Sequence, residues 1–243
     1  GATARVIGNA LTLSGSVTLG DAVRSGVLTF NGNAGLSGAT VLTIASEVVS
    51  NGVIGGTYDF TKAGGATLTL NGVSTYTGST TVGAGSLTLG GTLAGSTSVG
   101  VFANAFLNVI NNGSLNASTV LGNAGTVNFG TAAQTLEALN GAGLVNLNGT
   151  VLSINSGSYT GVIAGSGSLV KSALGVLELA GANTFGGGVV LSGGTVLAGN
   201  DDAFGAGVLS LSGGVVSSNG ATARVIGNAL TLSGSVTLGD AAR

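Results

Sequence analysis

The side chains able to do chemistry are few, and two absences narrow the field first. The 243-residue chain has no His and no Cys. A Ser–His–Asp triad, a cysteine nucleophile and an ordinary zinc site are therefore excluded. Carboxylates, lysines and tyrosines remain as acid–base groups. Glycosidase-type chemistry needs two carboxyl groups about 5–9.5 Å apart across one cleft. The acids before residue 220 are Asp21, Glu47, Asp59, Glu137, Glu178, Asp201 and Asp202. They are scattered, and Asp201 and Asp202, as strand neighbours, would point to opposite sides. No catalytic residue is assigned, and the expected role of Asp201 and Asp202 is a polar turn.

Binding leaves further candidates. The segment Gly199 to Gly205, with Asn200, Asp201 and Asp202, is similar to the calcium-binding nonapeptide of repeat toxins, which holds its ion between successive turns. Asp201 and Asp202 are thus the calcium candidates, although too few carboxylates stack to expect a bound ion, and no cofactor is expected. Lys62 and Lys171 hold equivalent places in two halves of the chain. They are expected to be solvated corner lysines, since Lys is rarely buried, with a sugar or partner contact as the alternative. Arg5, Asp21 and Arg24 recur as Arg224, Asp240 and Arg243. Surface pairs of this kind contribute little each. Alternatively they are contacts repeated once per period between neighbouring rods. Tyr58, Tyr76 and Tyr159 could form a glycan platform, but Tyr76 aligns with Phe185 and reads as core. The Gly-rich runs lack a P-loop Lys-Ser/Thr ending and a following helix, so phosphate binding is not expected.

The elements that must position these residues are short strands. Apolar–polar–apolar triplets recur, among them Leu68-Thr69-Leu70, Leu87-Thr88-Leu89, Val127-Asn128-Phe129 and Leu177-Glu178-Leu179. Period-2 alternation of this kind reads as strand, with the outer two side chains facing in and the middle one facing water. Between the runs lie Asn31-Gly32, Asn51-Gly52, Asn71-Gly72, Asn112-Gly113, Asn140-Gly141 and Asn148-Gly149. These dipeptides favour positive φ and mark sharp turns. Only 6% of residues are charged, 48 are glycine, and 44% are hydrophobic. The apolar share argues against disorder, and small aliphatic side chains suit a narrow interior. The expected fold is all-β, a right-handed parallel β-helix (β-solenoid) forming a rod of about 10–12 rungs of about 20 residues. Asn side chains could form ladders between rungs. A β-sandwich array is the alternative, though it usually carries more aromatic core.

The chain repeats itself on two scales. Residues 1–24 reappear as residues 220–243, a spacing of 219, with Val23 against Ala242 as the one difference. Residues 1–219 thus read as one full tandem unit, with residues 220–243 starting the next. Within that unit lie two diverged halves of about 110 residues each. They match best between 40–91 and 150–200. Lys62 falls on Lys171, Leu70 on Leu179, Tyr76 on Phe185 and Gly85 on Gly194.

The stretch from Leu68 to Leu89 resembles the autotransporter-associated β-strand repeat, also called the passenger-associated transport repeat, whose pattern runs roughly LTLSGxNTYTGGTTVxxGTLxL. Thr61 to Gly65 resembles its Lys-Gly lead-in, and Leu177 to Ala198 is a second copy with Val189-Val190-Leu191 in place of Thr-Thr-Val. The resemblance implies a β-helical passenger region at the surface of a Gram-negative-type bacterium, exported with the help of an outer-membrane barrel. It implies folding and transport units rather than catalytic residues.

With a net charge of −2 and no basic cluster, nucleic acid is not an expected partner. No apolar run approaches the ~18 residues of a membrane helix, and no basic-then-apolar signal opens the chain, so export elements are expected outside it. The leading expectation is a structural repeat segment, extracellular or at the cell surface, that self-associates into a fibre, sheath or stalk. An adhesin passenger binding glycan or host protein is the alternative. A β-helical polysaccharide-degrading enzyme fits less well, because the charged residues are scattered.

Overall fold

The computed structural model describes residues 3–24 and 26–239. Among them every regular element is a strand and no helix forms. The strands stack as the parallel coils of a β-solenoid of about 12 turns. The chain divides into two compact units, residues 1–119 with 124–127, and residues 120–123 with 128–243.

In the first unit one face stacks Arg5–Ile7, Leu28–Phe30, Val48–Ser50, Thr67–Leu70, Ser86–Leu89 and Phe106–Ile110 in parallel. The register places Leu28 beside Val48 and Val48 beside Leu68, so these successive coils are equal in length. Leu87 then lies beside Leu68, and Leu107 beside Leu87. A second face stacks Leu11–Leu19, Ala34–Ile44, Phe60–Ala63, Thr80–Val82 and Ser98–Val101.

The second unit repeats the arrangement with Ala133–Gly141, Val151–Tyr159, Ser168–Lys171, Val189–Leu191, Leu209–Ser218 and Leu230–Leu238. Here Val151–Tyr159 is long enough to pair twice. Its first half meets Ser168–Lys171, and Gly157 to Tyr159 meet Leu177 to Leu179 of Val176–Leu179. The coil is short where Val151 pairs with Ser168 and longer where Leu19 pairs with Ile44. Added residues are thus absorbed at corners without shifting the ladder.

Side-chain alternation explains why these sequences coil. Leu68, Leu70, Leu87, Leu89, Leu107 and Val109 are buried, while Thr69 and Thr88 between them are half-buried on the outer side. Each fully buried aliphatic side chain contributes about 1.5–3 kcal/mol. The aromatics Phe60, Tyr76, Phe129, Tyr159, Phe185 and Phe204 are all buried, and Phe60 and Tyr76 tilt against each other at 5.7 Å.

The Asn-Gly dipeptides differ from expectation. Positive φ occurs at Gly141 and Gly149 but not at Gly32, Gly52, Gly72 or Gly113. At these four the reason for glycine is proximity. A Cβ on Gly32, Gly52 or Gly72 would lie closer than 3.0 Å to backbone atoms of Asn9, Gly32 or Gly52 respectively, each one coil earlier. These glycines form a column where successive coils touch backbone to backbone. Beside it runs an asparagine ladder. Asn51 Nδ2 donates to Asn31 Oδ1 at 2.8 Å and Asn71 Nδ2 to Asn51 Oδ1 at 2.9 Å.

Gly52→Ala should therefore destabilise the fold by about 1–3 kcal/mol through overpacking against backbone. Gly35→Ala, where a Cβ would meet nothing within 4 Å, should be neutral or slightly stabilising. Urea unfolding of the two variants checks this, and equal midpoints would refute the column.

Candidate functional site

Four of the carboxylates, Asp59, Glu137, Glu178 and Asp201, are engaged along the stacking direction. Asp59 Oδ1 accepts the Ser79 amide at 2.7 Å, and Glu137 Oε1 accepts Asn155 Nδ2 at 2.7 Å. Glu178 takes Ser158 Oγ on one oxygen and Asn219 Nδ2 on the other, both at 2.8 Å. The middle position of that triplet is thus half-buried and bridging, rather than simply solvated as expected. Asp201 Oδ1 accepts the Val225 amide at 3.2 Å, and Asp202 lies exposed in the same turn. Among the described residues no three His, Cys, Asp or Glu side chains converge in a way that could hold a metal ion.

The periodic charged residues separate. Arg24 and Asp21 form an exposed pair at 3.5 Å, and Arg5 lines the same surface depression. Arg224, the counterpart of Arg5, is half-buried, reaches Asn219 Oδ1 at 3.5 Å, and leaves its Nε buried without a partner. Asp240 and Arg243 lie outside the described residues.

The tyrosines form no platform. Tyr76 and Tyr159 are fully buried, and Tyr58 is exposed. Tyr76 joins its hydroxyl to Thr80 Oγ1 at 2.7 Å, and Thr80 continues to Ser96 Oγ at 2.9 Å. Tyr159 donates to the Gly143 carbonyl at 2.8 Å and accepts from Asn123 Nδ2 at 2.9 Å. Asn183 is a connector that the sequence reading did not single out. It is buried, accepts the Ile163 amide at 2.8 Å and donates to the Ala203 carbonyl at 2.7 Å, thereby tying three successive coils. Its alignment with the equally buried Ser74 was the available signal.

The largest correction concerns the lysines. Lys62 and Lys171 are not solvated corner residues. They are 0% and 1% exposed. Lys62 Nζ donates to the carbonyls of Gly64 at 2.5 Å and Ala84 at 2.7 Å, and Lys171 Nζ to that of Ala173. No carboxylate pairs with either lysine among the described residues. Room for each ammonium is made by a glycine in left-handed conformation, Gly85 at φ +63° and Gly194 at φ +71°. A Cβ on either glycine would collide with the lysine Nζ. Desolvation lowers the Lys62 pKa to about 8 and lowers that of Lys171 as well. Burial raises the Tyr159 hydroxyl to about 12 and raises Tyr76 still further.

Stacked parallel coils with side chains bonded from rung to rung define a β-solenoid whose two halves share one buried device. The passenger-associated-transport-repeat family model matches residues 60–89 and 169–198. Each match contains the buried lysine and its glycine, Lys62 with Gly85 and Lys171 with Gly194. The chain therefore carries two passenger-associated transport repeats. It is 33% identical over 187 residues to the adhesin BmaC autotransporter of Brucella suis biovar 1 (strain 1330). That alignment covers 74% of this chain and 5% of the relative, so the match spans a small fraction of the longer protein. No solved structure matches the chain.

The buried groups set the pH dependence. Between pH 8 and 10.5 the unfolded chain holds a lysine proton that the folded chain has released. Stability therefore rises with pH across that window. The buried tyrosines act oppositely. Their folded pKa values exceed the unfolded value of about 10, so their contribution is lost as pH climbs past about 10. The urea midpoint should increase from about pH 7.5 to about pH 10 and then fall. Lys62→Met should reduce that increase, and an unchanged profile would contradict burial of the ammonium. Lys62→Ala, which adds a cavity and frees two carbonyls, should cost about 2–5 kcal/mol at about pH 7.

Proposed function

We propose that this chain is a section of the surface-exposed passenger of an autotransporter-type protein of a Gram-negative-type bacterium, and that it is a structural, non-enzymatic segment. The observation that carries the reading is where the polar side chains are used. Asp59, Glu137, Glu178, Asn51, Asn71 and Asn183 bond to neighbouring coils. What remains outside is a sparsely charged surface of Thr, Ser, Gly and Val, suited to packing against copies of itself because little charge opposes approach. Repetition of one contact at a fixed period generates filaments. Fibre or stalk formation by self-association is therefore the finer form of the proposal.

The name of the Brucella relative favours a second reading, in which the passenger is adhesive and its outer face meets glycan or host protein. The two readings separate in one pair of measurements on the purified chain. Electron microscopy should show axial or lateral order, and dispersed single particles at all concentrations would overturn self-association. Beads coated with the chain should bind host cells no better than uncoated beads under the structural reading, and specific saturable binding would move the assignment to adhesin.

A further inference from the structure

Asn-Gly dipeptides carry a reaction of their own, and the chain places them at Asn31, Asn51, Asn71, Asn112, Asn140 and Asn148. The amide nitrogen that follows an asparagine can attack the side-chain carbon Cγ, and glycine there hinders the attack least because it has no Cβ. The N–Cγ bond forms as the Cγ–Nδ2 bond breaks, and the amide proton leaves with Nδ2 as ammonia. Water then opens the cyclic imide at either carbonyl. The product is aspartate or, with the main chain rerouted through Cβ, isoaspartate. Solvent is the only other reactant.

Exposure alone does not separate these sites, since Asn31, Asn51, Asn71, Asn112 and Asn148 are all exposed. Bonding does. Asn51 is held at Nδ2 by Asn31 and at Oδ1 by Asn71, so Asn31 is held at Oδ1 and Asn71 at Nδ2. Asn140 Oδ1 accepts the Ser158 amide at 3.0 Å. To swing Cγ onto its own glycine, each of these four must break a bond to another coil. Asn112 and Asn148 make no side-chain hydrogen bond among the described residues. Both sit in tight turns. The Gly113 amide donates to the Ile110 carbonyl at 2.8 Å, with Asn111 between them at φ +55°. The Gly149 amide donates to the Leu147 carbonyl at 2.8 Å, and Gly149 itself has φ +81°. Freeing either nitrogen breaks only a bond within its own turn. The two differ in room. A Cβ on Gly149 would meet nothing within 4 Å, whereas Gly113 is buried against the Leu89 carbonyl.

We propose that Asn148 and Asn112 are sites of spontaneous deamidation in the folded protein, Asn148 the faster, and that bonds between coils withhold Asn31, Asn51, Asn71 and Asn140 from the same reaction. Each conversion adds one negative charge to a chain whose net charge is −2. At Asn148 and Asn112 the new carboxylate meets solvent. In the ladder it would set an oxygen where Asn51 Nδ2 now donates, facing Asn31 Oδ1. The product is therefore disfavoured there as well as the path to it. The ladder thus has a chemical role beside its structural one, because it keeps a reactive dipeptide intact at the place where glycine is required for coil contact. This inference does not depend on the surface role proposed above.

The test incubates the full chain, folded, in mildly alkaline buffer. Peptides are then analysed by mass spectrometry for conversion of amide to acid at each Asn-Gly. The expected order is Asn148, then Asn112, then the other four. Asn112 should lead any of those four by about tenfold, because a stacked asparagine reacts only when its coil opens. The same incubation in concentrated urea should bring all the sites to comparable rates. Equal rates at every site of the folded chain, or the highest rate within the ladder, overturn the proposal. So does an unchanged order and spread of rates in urea, because local sequence would then be the cause. Asn51→Ser gives an independent arm. It removes the middle of the ladder, so Asn31 and Asn71 should deamidate faster than in the parent while Asn140 keeps its rate. Unchanged rates at Asn31 and Asn71 overturn the protective role of the ladder. A rise at Asn140 as well marks general unfolding of the variant, and the comparison of folded and urea-treated parent chains then decides.

Discussion

The parallel backbone ladder between successive coils is the constraint from which the other features follow. Each strand must return beside its predecessor, about 4.8 Å away. That spacing is met whether a coil is as short as the one from Val151 to Ser168 or as long as the one from Leu19 to Ile44. What cannot vary is the set of places where two backbones touch. The glycine column through Gly32, Gly52 and Gly72 exists because a Cβ there would displace the ladder itself. The leucines inside the coils supply the driving energy, but the glycines determine whether the backbones come close enough for that burial to occur.

Stacking also decides what the polar residues can do. A side chain on a coil finds its counterpart directly above or below it, so Asn meets Asn and a carboxylate meets an amide of the adjacent rung. Such bonds run along the stack and occupy Asp59, Glu137, Glu178 and Asp201 between coils. Glu178 illustrates this. Its two oxygens are held by Ser158 and Asn219, leaving it as a bridge between coils.

Much of the architecture was legible because period-2 alternation maps directly onto inside and outside. Leu68, Leu70, Leu177 and Leu179 sit where the triplets placed them. Tyr76 was legible as core through its match to Phe185. The role of the glycines was misread, because a dipeptide rule concerns the local chain, whereas contact between coils joins residues such as Gly52 and Gly32 that are distant in sequence. The lysines were misread for a related reason. General burial statistics place Lys outside. What places Lys62 inside is a pair of carbonyls, one of them on the following coil, and a glycine that leaves the ammonium room. The equivalence of Lys62 and Lys171 was visible in the sequence, but their burial was not.

The lysine site shows why a charge can persist in a fold otherwise poor in them. At a corner the backbone turns away from its neighbour, and carbonyls such as those of Gly64 and Ala84 lose the amides that strand pairing would provide. A buried carbonyl without a donor is costly. An ammonium on a four-carbon stem can reach from inside the coil, donate to more than one carbonyl, and fill with methylenes the space that a leucine would otherwise occupy. Its desolvation cost appears as the lowered pKa. Guanidinium is a poor substitute, because the opening left by Gly85 or Gly194 brings a neighbouring backbone against the terminal nitrogen itself, with little space for a planar fork. Lysine and glycine are thus one unit, although Lys62 and Gly85, like Lys171 and Gly194, lie on different coils. Two halves that otherwise differ have both kept the pair, which locates its importance in closing the coil.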